Sequence, residues 1–261
     1  MSAADPTPGF LPAGWPAPAG VRAGTTLRAG GVSAGPFAGL NLGGHVGDRP
    51  EDVAANRERL ARLLPAAPRW LEQVHGRRVV ELPGARDLRA DGAWTRTPGC
   101  VCAVLTADCL PVLLCDRAGS RVAAVHAGWR GLAAGVIEAA VAAMGVPPGR
   151  LLAWLGPAIG PADYEVDRPV YEAFARSPGR AAAFAPAGPG HWRLDIYALA
   201  RARLAAAGVG EAWGGGLSTA AEPDRFYSYR RDGVTGRMAS LIWIEPGAGA
   251  GPGGGGGLTG C

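Results

Sequence analysis

The sequence predicts an α/β fold (mixed α+β): a single layered domain of mixed sheets with flanking helices, over residues 21–245. Three observations carry this. Short apolar runs bounded by turn residues read as buried strands. Two longer stretches carry apolar residues at helical spacing. Strands come both adjacent and separated by helices, which argues against a regular alternation. The chain has 261 residues, 48% of them apolar, enough to bury one substantial core.

Residues 1–20 are rich in Pro, Ala and Gly and are expected to be flexible. Val21–Leu27 suits a strand. Asp48-Arg49-Pro50-Glu51 reads as a helix start, with Asp48 as N-cap and Pro50 in the first turn. Val53, Leu60, Leu63 and Leu64 then form its apolar stripe. Arg69–His75 and Arg78–Leu82 look like short strands joined by Gly76-Arg77. Val101–Ala107, Pro111–Asp116 and Arg121–Ala127 are apolar and β-like. Gly131–Gly145 reads as a helix, Leu151–Leu155 as a buried strand and Val170–Ala175 as a short helix. Asp195–Ala207 is a second long helix with Gly208 just past its end. Ala239–Ile244 closes the body as a strand, and residues 246–261 read as a flexible Gly-rich tail.

Composition excludes several chemistries. All 26 basic residues are arginine, so no lysine is present for a Schiff base, a P-loop or a general base. The net charge of +4 is spread without a run of like charges, so no nucleic-acid partner is expected. Five cysteines, four of them between Cys100 and Cys115, do not form a secreted disulfide pattern. No signal peptide is visible, and Leu132–Met144 is too short for a membrane span. A cytoplasmic protein without a membrane partner is expected.

Three segments carry candidate chemistry: Gln73-Val74-His75-Gly76, Thr106-Ala107-Asp108-Cys109-Leu110-Pro111, and Val125-His126-Ala127-Gly128-Trp129-Arg130-Gly131. Each ends an apolar run with one metal-ligating side chain. His75, Cys109 and His126 together suit Zn²⁺ with an open fourth position. Copper also fits such a donor set. Arg130 follows at a helix start, where an anion binds favourably. Arg28, Asn41 and Arg230 are further candidates for phosphate or substrate contacts. His45, in the Gly-rich run before the first helix, reads as part of a turn. Cys100, Cys102 and Cys115 read as core.

On these motifs the chain resembles the YfiH/PgeF, or laccase-domain, family. The matching segments also include Gly30-Gly31-Val32-Ser33, Asn41-Leu42-Gly43, His45–Asp48, Gly156–Pro161 and Phe226–Trp243. The resemblance implies a single mixed α/β domain with zinc held by His75, Cys109 and His126. It implies phosphorolysis of adenosine, inosine, guanosine or methylthioadenosine, together with adenosine deamination. A polyphenol oxidase activity and the editing of peptidoglycan precursors are also attached to the family. Two positions depart from its pattern: Ala29 replaces a frequent His, and Ser218 replaces a frequent Cys.

Purine nucleosides and phosphate are thus the expected partners, with the oligomeric state open. Zinc deaminases use a nearby Glu in a His-x-Glu motif, which this chain lacks. Asp108 or a more distant acid must then move protons. The alternatives are an amidase with Cys109 as nucleophile and His126 as base, a copper-loaded oxidase, or a zinc-stabilised interaction module. A multicopper centre needs more imidazoles than the four present, His45, His75, His126 and His191.

Overall fold

The computed structural model describes residues 8–247. Its early strands are β1 (Phe10–Pro12), β2 (Val21–Thr26), β3 (Val79–Leu82), β4 (Gly92–Thr95), β5 (Cys102–Thr106), β6 (Leu110–Asp116) and β7 (Val122–Ala127). The later ones are β8 (Leu151–Leu155), β9 (Glu165–Asp167), β10 (Phe184–Gly188), β11 (His191–Leu194), β12 (Glu211–Gly214) and β13 (Met238–Ile244). They form a six-stranded sheet in the order β12-β8-β6-β7-β4-β3, a four-stranded sheet β1-β2-β13-β5 and a small sheet β10-β11-β9. Among these named strands, β12–β8 and β3–β4 pair in parallel and the other pairs are antiparallel.

Side-chain alternation explains the layering. On β6, Leu113 and Cys115 share a core with Cys102 and Val104 of β5 and Ile242 and Ile244 of β13. The two larger sheets therefore pack face to face. The intervening residues Val112 and Leu114 face the opposite way. They pack with Ile137 and Val141 of α3 (Val136–Met144) and Leu199 and Leu204 of α6 (Ile196–Ala206). On the far side, Ala103, Leu105, Leu241 and Trp243 pack with Leu60 of α1 (Pro50–Ala61). The molecule is thus layered as helix, sheet, sheet, helices. Every residue of β5, β6, β7 and β13 is buried, which is why these strands read as continuous apolar runs.

Several expectations are corrected. The flexible segment assigned to residues 1–20 contains β1, which pairs with β2. Residues 1–7 and the tail from 248, including Cys261, lie outside the described residues. Arg49, not Asp48, is the N-cap of α1. Asp48 instead accepts hydrogen bonds from Ser33 Oγ at 2.6 Å and Asn41 Nδ2 at 2.8 Å, tying two glycine-rich loops together. Arg69–His75 is not a strand. Gln73 takes over both backbone groups of Leu105, donating to its carbonyl at 2.8 Å and accepting from its N–H at 2.7 Å. The single helix expected at Gly131–Gly145 is two, α2 (Trp129–Ala134) and α3, divided by Gly135 at φ 90°.

The remaining short helices are α4 (Arg168–Ala173), α5 (Arg180–Ala183) and α7 (Tyr229–Asp232). Among the described residues no helix is long and apolar enough to cross a membrane.

Candidate metal centre and its cleft

The metal-ligating side chains arrive from two bends and one strand end. Asp108 and Cys109 form the link by which the chain leaves β5 in one sheet and enters β6 in the other. Asp108 adopts φ 86° there, a left-handed conformation that is strained for a residue with a side chain. His126 lies near the end of β7. His75 follows the irregular Gln73 segment, itself at φ 59°.

One donor atom from each of His75, Cys109 and His126 falls within 4.8 Å of the others. Cys109 Sγ is 3.9 Å from His75 Nε2, and the two imidazole rings meet edge-on with centroids 4.7 Å apart. Ligands of a tetrahedral zinc lie about 3.5 Å from one another, so a small inward movement completes the set. Gly128 makes the approach possible. A Cβ there would sit 2.9 Å from Cys109 Sγ and 3.1 Å from His75 Cδ2. Two imidazoles and a thiolate in a space kept open by glycine fit zinc or copper.

Electrostatics favour an ionised thiol. Burial opposes it, but the His126 charge and hydrogen bonds from both imidazoles outweigh burial and draw Cys109 down to about 6. Burial likewise opposes a charge on His126, and Cys109 with Asp91 overcomes it, raising His126 well above its usual range. Cys115 shows the opposite outcome in the core, where burial pushes the thiol up to about 12.

The centre opens into a cleft of about 400 Å³. Arg130 and Arg230 line it. Arg130 lies 4.4 Å over the Trp129 ring, and Arg230 lies 5.4 Å over Tyr164 while donating to the Glu165 carbonyl. Trp129, Tyr164 and Tyr229 give the cleft its aromatic surface. Asp108 also lines it. Its two carboxylate oxygens accept from Thr219 Oγ1 at 2.5 Å and from the Arg230 N–H at 2.6 Å.

Arg28 and Asn41 are not among the lining residues. Arg28 stacks on Tyr227 and donates to the Pro223 carbonyl. Asn41 is fully buried, and its Oδ1 accepts from the N–H of Gly43 and of Arg237. Its contribution is to seat Arg237, which does line the cleft. His45 sits in a turn, as its sequence reads, and from that turn it also lines the cleft. Burial, followed by Arg237 and Arg57, holds that imidazole below its usual pKa.

Sequence reasoning also missed Asp91. It is fully buried just before β4 and bonds His126 Nδ1 at 2.8 Å. The Asp91-Gly92 pair was a signal, but only as a turn; nothing in it announced a partner 35 residues away. His45 and Arg237 stood inside quoted motifs, whereas Tyr164 had no local signal.

The family described as multi-copper polyphenol oxidoreductase laccase matches residues 22–245. The chain is 56% identical over 238 residues to a purine nucleoside phosphorylase of Pseudomonas aeruginosa, covering 90% of this chain and 98% of that protein. It is 54% identical over 235 residues to purine nucleoside phosphorylase YfiH of Escherichia coli, covering 88% and 96%. A crystal structure of a Neisseria meningitidis protein superposes with a TM-score of 0.86 at 51% identity, covering 91% of this chain and 99% of that one. YlmD of Geobacillus stearothermophilus follows at 0.83 and 35% identity, covering 94% and 98%. With the family match spanning residues 22–245 and the relatives covering about nine-tenths of the chain, the chain belongs to the YfiH family of laccase-domain proteins.

Proposed function

We propose that the protein is a metal-dependent purine nucleoside phosphorylase. It uses phosphate to cleave adenosine, inosine, guanosine or methylthioadenosine to the base and (methylthio)ribose 1-phosphate. Adenosine deamination is a second activity at the same centre. The observation that carries this is one cleft joining a His/Cys/His donor set to three arginines, Arg130, Arg230 and Arg237, and three aromatic rings. The names of the relatives support the same reading.

His75, Cys109 and His126 would hold zinc, which when bound would supply Lewis-acid polarisation and lower the pKa of water. The chain does the rest. Arg130 and Arg230 hold phosphate, since guanidinium forks match its oxygens. A phosphate oxygen bonds to C1′ as the C1′–N9 bond breaks, and the base leaves with the electron pair and takes a proton from the protonated phosphate or from water. Trp129, Tyr164 and Tyr229 offer the leaving base flat apolar faces. His45 accepts or donates a hydrogen bond as a neutral imidazole. For deamination Asp108, the carboxylate that lines the cleft, is the candidate proton carrier, and to act it must exchange its bond to Thr219 Oγ1 for one to substrate.

The test is metal analysis beside an adenosine-plus-phosphate assay, with adenine, inosine and ribose 1-phosphate separated. Cys109→Ala should lose both metal and phosphorolysis. Wild-type turnover by that variant would sink the proposal.

One observation favours a second reading. A thiol near 6 beside an imidazole is also the pattern of a cysteine nucleophile, as an amidase acting on cell-wall precursors would use. A metal-bound thiolate resists alkylation until the metal is chelated, whereas a free nucleophile reacts at once. Copper in place of zinc fits the same three donors, but four histidines in the whole chain do not build a multicopper cluster.

A further inference from the structure

We infer that Asp91 is the positioning residue of the metal centre, holding His126 by its ring and His75 by its backbone. The inference rests on the three-ligand reading and adds a residue that makes no contact with the metal. The Asp91 carboxylate is completely buried. Oδ1 accepts from His126 Nδ1 and from the His75 N–H, both at 2.8 Å. Oδ2 accepts from Gly76 N–H at 2.6 Å and from Val74 N–H at 3.3 Å. Its backbone carbonyl accepts from His126 N–H at 2.7 Å. Its only ion-pair partner among the described residues is His126.

Two consequences follow from these bonds. A carboxylate accepts only, so Nδ1 of His126 must carry a proton, which leaves Nε2 as the one ring nitrogen able to offer a lone pair to a metal. Three consecutive N–H groups converge on the same carboxylate, so residues 74–76 are wrapped around it. That wrapping holds His75 in its left-handed conformation, with its ring against Cys109. Asn at position 91 has one acceptor oxygen and one donor amide. If the amide faces His126, the imidazole is driven to the tautomer that cannot ligate through Nε2. If it faces Gly76, two donors collide and the His75 turn opens. Either placement damages one of the two imidazoles.

The experiment is Co²⁺ binding to the full chain, followed by thiolate-to-cobalt absorption and chelator competition. Asp91→Asn should bind metal about 10–100-fold more weakly than wild type. Its apo form should keep the wild-type circular dichroism. Affinity within about twofold of wild type, with an unchanged spectrum, overturns the inference. Failure of the wild-type chain to take up Co²⁺ overturns the metal reading beneath it. Imidazole nitrogen NMR of the wild-type zinc form needs no variant. It should show His126 protonated at Nδ1 and metal-bound through Nε2, and the opposite tautomer overturns the inference.

Discussion

The two walls of the cleft are built on different terms. The metal wall hangs on buried structure: His126 is 3% exposed, Asp91 is fully buried and Gly128 leaves no room for a methyl group. The arginine wall is open. Arg130 and Arg230 are exposed and rest on the faces of Trp129 and Tyr164, and Tyr229 beside them is 60% exposed. Over-determined donors suit a centre whose geometry must hold within tenths of an ångström. Exposed cations on aromatic platforms suit a wall that must admit and release anions. Damage to the first wall should therefore destroy the centre, and damage to the second should change substrate affinity with the fold untouched.

The largest expected effect is Gly128→Ala. The added methyl meets Cys109 and His75 at about the separation where atoms must move. Overpacking of this kind costs about 1–3 kcal/mol. If the ligands give way, the upper end is roughly 100-fold in metal affinity, read by chelator competition. Wild-type affinity would mean that the metal wall is less constrained than described.

Next comes the thiol. In apo protein Cys109 should gain reactivity toward iodoacetamide as pH rises through about 6. Below that pH the thiol is protonated and slow; above it the thiolate is present. At pH 7 this makes it roughly 30-fold more ionised than an ordinary cysteine near 8.5. Cys115, pushed to about 12, should stay inert throughout and serves as the internal control. A Cys109 midpoint near 8.5 would break the electrostatic account of the metal wall.

The smallest effect belongs to the open wall. Arg130→Ala or Arg230→Ala should raise the KM for phosphate about tenfold, the worth of one charge-assisted hydrogen bond. Metal content and melting temperature should stay at wild-type values. Loss of metal in either variant would erase the distinction between the walls.

Legibility in the sequence follows the same division. The trio His75, Cys109 and His126 was readable because each ends an apolar segment with a ligand and a turn. β6, β7, β8 and β13 were readable because burial on both faces leaves uninterrupted apolar runs. Asp91 was not readable, since its meaning comes from β4 lying beside β7. Arg28 and Asn41 lie outside the cleft lining for a related reason. Arg28 donates to the Pro223 carbonyl and Asn41 bonds Gly43 and Arg237, and a polar side chain looks the same in sequence whether it faces substrate or backbone. The Gln73 segment read as a strand because its amide imitates one, bonding Leu105 as a neighbouring backbone would.

The position of β13 bears on how the chain folds. It is the last strand of the body, yet it lies in the interior of its sheet, pairing Ile244 with Val21 on one side and Ser240 with Val104 on the other. Contacts that join the two ends of the body are slow to form, because a long loop must close before they gain anything. β6 and β7, by contrast, pair across a short turn and bring Cys109 and His126 to neighbouring strands early. During synthesis the metal-ligating strands therefore emerge and pair well before the four-stranded sheet can exist. Until β13 arrives, β2 and β5 are two unjoined edges, and the apolar inner face of the six-stranded sheet is left uncovered.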